Sequence, residues 1–169
     1  MLTANPPHPT PPVRDFWTAW ASVSLPARAG ANWHFTIPDF SPVPGERILL
    51  VGSRDLETDE IELLNRVGVT RIVGTEDQGS SVASFAHKVD GVYLHLDLDV
   101  LDPSEAIANQ WTPTGGLTIE AVKQIVKSIQ RNTRIKGFGI ASYDPEVDRD
   151  GRALSAALAI FELLLAPTI

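Results

Sequence analysis

No cysteine occurs among the 169 residues. That excludes a disulfide scaffold, a thiolate metal centre and thiol redox chemistry, and it accords with a reducing, cytoplasmic setting. No apolar run approaches the roughly 20 residues of a membrane-spanning helix, and the N-terminus lacks the basic-then-apolar order of a signal peptide. Positive charge is scarce as well: 14 Lys and Arg against 21 Asp and Glu leave a formal net charge of −7. With no basic patch to offset that excess, neither nucleic acid nor an anionic membrane is an expected partner. What is present suffices for a globular core, since 43% of residues are hydrophobic at a length typical of one domain.

The chain divides into three parts. Residues 1–14 hold Pro6, Pro7, Pro9, Pro11 and Pro12 with little apolar content, and read as an extended or disordered arm. Residues 15–46 carry Trp17, Trp20, Trp33 and Phe35 without a sustained period, and Pro38, Pro42 and Pro44 interrupt any element. They read as an irregular segment that packs on something else. From residue 47 to 169 the pattern is regular. Strands are predicted at Ile48–Gly52, Thr70–Gly74, Gly91–Asp99 and Ile135–Ile140, the first of them buried on both faces. Helices are predicted at Glu57–Val67, Ser80–His87, Thr118–Gln130 and Arg152–Leu165, with Thr118 as an N-cap and the last helix apolar almost all round and therefore buried. Strands alternating with helices at this spacing mean crossover units and a mainly parallel sheet, an α/β fold.

The stretch Tyr93-Leu94-His95-Leu96-Asp97-Leu98-Asp99-Val100-Leu101-Asp102-Pro103 concentrates the chemistry. Side chains alternate across a strand, so Val92, Leu94, Leu96, Leu98 and Val100 share an apolar face, and His95, Asp97 and Asp99 share the other. Two carboxylates on a half-buried strand are costly unless a cation compensates them. Hard oxygen donors with an imidazole nearby suit manganese or magnesium, so Asp97 and Asp99 are candidate metal ligands with His95 as a third or as a cavity-filling side chain. The pair falls at a C-terminal strand end, where parallel α/β folds place their sites. Asp102-Pro103 reads as a turn, Gly115-Gly116 as a tight turn before a helix, and Asp148 with Arg152 as a capping and ion-pair cluster. Trp111 could wall a pocket or simply pack.

These motifs resemble the arginase/agmatinase/formimidoylglutamase (ureohydrolase) superfamily. Asp97-x-Asp99, Pro103 and Gly115-Gly116-Leu117 match its third signature; Gly137-Phe138-Gly139-Ile140 and Asp144-Pro145-x-x-Asp148-x-x-Gly151-Arg152 continue the match, and Arg47 to Arg54 resembles its strand ending in Gly-x-Arg. The resemblance, over about residues 45–166, implies the C-terminal half of a three-layer αβα fold, truncated on its N-terminal side. It implies two manganese ions activating a bridging hydroxide against a guanidinium or amidinium carbon. It also exposes departures. The family's Gly-Gly-Asp-His and Asp-x-His-x-Asp ligand motifs are absent, leaving two of six ligands. His95 and Ile107 replace the usual Ser or Thr and Pro. Ser142-Tyr143-Asp144-Pro145 stands in place of Glu-x-Asn-Pro, which puts Ser142 and Asp144 at the substrate positions.

The expected function is therefore a metal-dependent hydrolase of C–N bonds in small guanidino or amidino compounds, incomplete alone. Completion would come from a complementary N-terminal half or a second copy. Two alternatives remain: a non-catalytic remnant or assembly subunit, and a haloacid-dehalogenase-like phosphatase with Asp97-Leu98-Asp99-Val100 as its motif. The phosphatase would leave Gly115-Gly116-Leu117-Thr118 unexplained and has Leu101 where Thr is usual.

Overall fold

Strand and helix alternate along the chain in the computed structural model, which describes residues 43–74 and 78–166. The Pro-rich arm and residues 15–42 of the aromatic-rich segment lie outside the described residues. A 3-10 turn at Gly45–Arg47 leads into β1 (Leu49–Val51), α1 (Thr58–Arg66), β2 (Thr70–Ile72), α2 (Gln78–Ala86), β3 (Val92–Asp97), α3 (Ile119–Asn132), β4 (Ile135–Ala141) and α4 (Arg152–Leu165).

The helices start where the sequence offers partners for their free N–H groups. Glu57 and Glu60 form a capping box at α1, the Glu57 N–H donating to Glu60 Oε2 at 2.8 Å. Thr118 Oγ1 accepts from the Ala121 N–H at 3.0 Å and opens α3 as expected. At α4 the buried Asp148 carboxylate accepts from the N–H groups of Ala153 and Leu154, at 3.0 and 2.9 Å. Arg152 does not join it. Its guanidinium pairs with Asp150 at 2.7 Å and donates to the carbonyls of Ser104 and Glu105, fastening the helix start to the loop after β3.

β1 pairs in parallel with β2 (Leu49↔Thr70, Val51↔Ile72), and β3 with β4 (Leu94↔Phe138, Asp97↔Ala141). The mainly parallel sheet expected from the pattern appears, among the described residues, as two parallel pairs with no ladder between them. At Gly52, just past β1, the Val100 and Leu117 side chains come close: a Cβ would lie 2.9 Å from Val100 Cγ2 and 3.2 Å from Leu117 Cδ1. β1 is half-buried along its length rather than fully covered on both faces.

Helix α2 packs on α3, and α3 on α4, forming one layer over a core that includes Val82, Leu96, Leu98, Val126 and Ile160. Leu64 of α1 is buried apart from that cluster. Parallel strand pairs joined by helices give an α/β architecture, consistent with the three-layer arrangement expected of a mainly parallel sheet. One expectation for α4 fails: Leu154, Leu158, Phe161 and Leu165 form a solvent-exposed apolar stripe at helical spacing, while Ala153, Ala156, Ala157 and Ile160 face the core. Small alanines let α4 lie close to the core and leave its larger side chains outside.

Candidate metal and substrate site

β3 does not run on through Asp99. It stops at Asp97, and Leu98–Val100 turn as a 3-10 segment. The cause is local: the Asp97 carboxylate accepts the Asp99 N–H at 3.2 Å, a side-chain bond that competes with continued pairing. Leu98 and Leu101 swing into the core, where both are fully buried. Burying each such leucine contributes about 2 kcal/mol, so the turn is anchored from beneath. Asp97 thus ends the strand and Asp99 sits on the turn above it. The shared extended face expected for His95, Asp97 and Asp99 holds only for the first two.

The two carboxylates remain neighbours. Burial raises the Asp99 pKa from 3.8 to about 7, helped by the hydrogen bond to Asp97 and by that group's negative charge; Asn109 and the Arg54 cation oppose the rise. An acid pair held together this way favours binding of a cation. Among the described residues, however, no three His, Cys, Asp or Glu side chains form a group able to hold a metal. The donor set is two carboxylates, with half-buried His95 on Asp97's side of β3 by strand alternation.

β4 shapes the ground beside them. A Cβ at Gly139 would lie 2.6 Å from the Tyr93 hydroxyl, which would have to move, and in ordinary contact with His95 Nδ1 at 3.9 Å, so the Tyr93 ring lies directly over this glycine. Just past β4, Ser142 adopts φ 64, a left-handed conformation uncommon for a side-chain-bearing residue. Its carbonyl accepts from Asn109 Nδ2 at 3.0 Å. Buried Asn109 also bonds the Asp99 side chain and accepts the Trp111 N–H at 2.7 Å. It therefore links the Asp99 turn, the Trp111 loop and Ser142. Asp144 is tied to the same loop, its N–H donating to the Ala108 carbonyl at 2.8 Å, while its carboxylate accepts the Glu146 N–H at 2.9 Å. Trp111 is exposed.

Asp102 has a different task. Its carboxylate accepts from the Ser104 N–H and hydroxyl and from the N–H groups of Gly115 and Gly116, at 2.5 to 3.1 Å. The Ser104 hydroxyl, then its N–H, then those of Gly116 and Gly115 hold the Asp102 pKa below the usual carboxylate range. The two glycine N–H groups thus meet an anion supplied by the chain itself. Gly116 cannot be larger, since a Cβ would lie 2.4 Å from the Asp102 nitrogen and the Leu101 carbonyl carbon.

The structure brings Asp97, Asp99, Asn109 and Ser142 together at the C-terminal ends of β3 and β4, with Asp144 on the adjoining turn. Sequence reasoning missed Asn109, for which a loop position between Ala108 and Gln110 gives no signal, and the part played by Arg54.

The arginase family model matches residues 15–166, beginning earlier than the motifs alone indicate. An arginase from Bacillus caldovelox is 28% identical over 133 residues, covering 73% of this chain and 44% of that relative. An N(omega)-hydroxy-L-arginine amidinohydrolase from Streptomyces lavendulae is 29% identical over 119 residues, covering 70% and 42%. The solved arginase of Bacillus caldovelox superposes with a TM-score of 0.71 at 24% identity, over 80% of this chain and 48% of that one. The chain spans less than half the length of each.

Proposed function

The chain belongs to the arginase family, and from that premise we propose that it carries the Asp97–Asp99 portion of a two-manganese site for hydrolysing C–N bonds in guanidino or amidino compounds, a portion that is inactive alone. The observation that carries this reading is the adjacent carboxylate pair at a parallel strand's C-terminal end, with Asp99 lifted to about 7. A divalent cation relieves the energetic cost of that pair, and carboxylate oxygens fit manganese. The fit is partial, because two carboxylates stand where the family resemblance implies six ligands. Bound manganese would supply Lewis-acid polarisation and a lowered water pKa. This chain's own residues have simpler tasks: Asp97 and Asp99 hold the ions, Asn109 orients Asp99, and Ser142 and Asp144 border the substrate.

The missing ligands would come from a complementary half or a neighbouring copy, with a small molecule as substrate. Two features support a partner: among the described residues the strand pairs are not joined, and the α4 stripe is largely exposed. The cysteine-free composition favours a cytoplasmic setting. No helix among the described residues is long and apolar enough to cross a membrane. The absence of a three-ligand group among the described residues keeps a second reading alive, a non-catalytic assembly subunit. The phosphatase reading gains nothing from a family match that runs through the whole motif region.

Calorimetric titration of the purified chain with manganese tests the proposal, alongside urea release from arginine and agmatine. Expected are binding no tighter than high micromolar, lost in Asp97→Ala, and no urea. A tight two-ion stoichiometry, or urea release abolished by Asp99→Asn, would show the site to be complete.

A further inference from the structure

One side chain holds together both loops that border the acid pair. Arg54, just past β1, directs its guanidinium at five main-chain carbonyls: Asp99 at 2.6 Å, Val100 at 3.1 Å, Leu101 at 3.1 Å, Pro113 at 2.8 Å and Thr114 at 3.2 Å. Three of these oxygens belong to consecutive residues of the turn that carries Asp99. The other two belong to the loop that leads to Gly115 and Gly116. Consecutive carbonyls converging on one point repel each other unless a cation sits between them. A planar guanidinium with five N–H donors can answer several at once, whereas an ammonium offers three donors from a single atom.

We propose that Arg54 is a positioning residue for the metal site: its guanidinium, clasped by the 99–101 and 113–114 carbonyls, sets where the Asp99 carboxylate stands relative to Asp97. The proposal rests on the reading of Asp97 and Asp99 as metal ligands, but the clasp itself does not. Main-chain oxygens take up these donors, so Arg54 places a positive charge beside the acid pair without occupying its carboxylate oxygens. Asp102 draws the same two loops together from the other side, through Gly115 and Gly116. The Asp99 turn is thereby held by a cation on its carbonyls, by a carboxylate just after it and by Leu98 and Leu101 below.

Arg54→Lys keeps the charge and loses the fork; Arg54→Ala opens a guanidinium-sized space lined by carbonyls. Two readouts are taken on the whole chain, each with and without millimolar guanidinium or methylammonium. Hydrogen exchange of peptides covering 97–102 and 113–117 needs no metal and reads the clasp. Manganese binding, followed by the electron paramagnetic resonance signal of the free ion, reads the ligand geometry. In both variants exchange in these two peptides is expected to rise at least about tenfold above that of the α3 peptides, and manganese affinity to fall about tenfold, the scale of losing a residue that orients a ligand. Guanidinium restores both in Arg54→Ala, and methylammonium restores neither. If exchange responds and is rescued while even the unmodified chain binds no manganese, the metal reading fails and the clasp stands. Unchanged exchange, rescue by methylammonium as good as by guanidinium, or full manganese affinity in Arg54→Lys overturns the proposal. If Arg54→Ala does not fold, Arg54→Lys still decides it through the same two readouts.

Discussion

Replacing Asp99 by asparagine should flatten the pH dependence of stability near neutrality. In the folded chain the Asp99 carboxyl holds its proton up to about pH 7, against 3.8 for the free side chain. Between those values the folded state binds more protons than the unfolded state, so stability must fall as pH rises. The contribution is fully present below pH 3.8 and lost once pH passes about 7. A shift of that size in a fully buried group would be worth about 4 kcal/mol. Asp99 is only half-buried and water screens it, so we expect about 1–2 kcal/mol. Urea denaturation of the metal-free chain at intervals from pH 5 to 8 reads this directly. The unmodified protein should lose about 1–2 kcal/mol across the range relative to Asp99→Asn, whose amide carries no charge to bury. Carbon-detected magnetic resonance of the Asp99 carboxyl should place its midpoint near neutrality, and added manganese should move it to lower pH by displacing the proton. A midpoint near 4, or parallel stability profiles for the two proteins, would refute the reasoning that burial, with Asp97 beside it, holds the Asp99 proton.

Two further expectations concern packing and assembly. Gly116→Ala should destabilise the chain by about 2–4 kcal/mol in thermal or urea melts, because its Cβ would strike the main chain of Leu101 and Asp102 and disturb the Asp102 bonds; a loss below half of that would mean the loop yields. Light scattering after size exclusion should find a species larger than the 18.3 kDa monomer, reduced in size by Leu158→Lys with Phe161→Lys; a monomer with a sharp reversible melt would show that the unjoined strands and the α4 stripe need no partner.

Elements with repeated local signals were legible. Helix α4 runs over Arg152–Leu165 as its pattern indicates, and α3 opens after Thr118 and runs to Asn132, just past Gln130. The end of β3 was not legible, since Leu96-Asp97-Leu98-Asp99-Val100 alternates without a break while the Asp97 carboxylate's bond to the Asp99 N–H and the burial of Leu98 and Leu101 turn the chain. Alternation identifies strands but not their neighbours, so the separation into two pairs was hidden too. At the site, Asp97 and Asp99 stood out because charge on an apolar strand is costly. Arg54 and Asn109 act through main-chain oxygens of distant residues, and no spacing in the sequence records that. Ser142's left-handed backbone likewise depends on context.

The two strand pairs also bear on how the protein opens. Each is a self-contained β-α-β closure, residues 49–72 and 92–141, whose ladder hydrogen bonds stay within the unit. Among the described residues the two units meet where Leu49, Val51 and Ile72 pack against the shared core, through α2, near Gly52 through Val100 and Leu117, and through the guanidinium of Arg54. Units with separate ladders are expected to open with distinct free energies, which native-state hydrogen exchange would read. The smaller, three-residue strands of the first unit belong to the less protected one, and from it Arg54 reaches the Asp99 turn of the other. Fraying of the first unit is thereby coupled to the order of the acid pair.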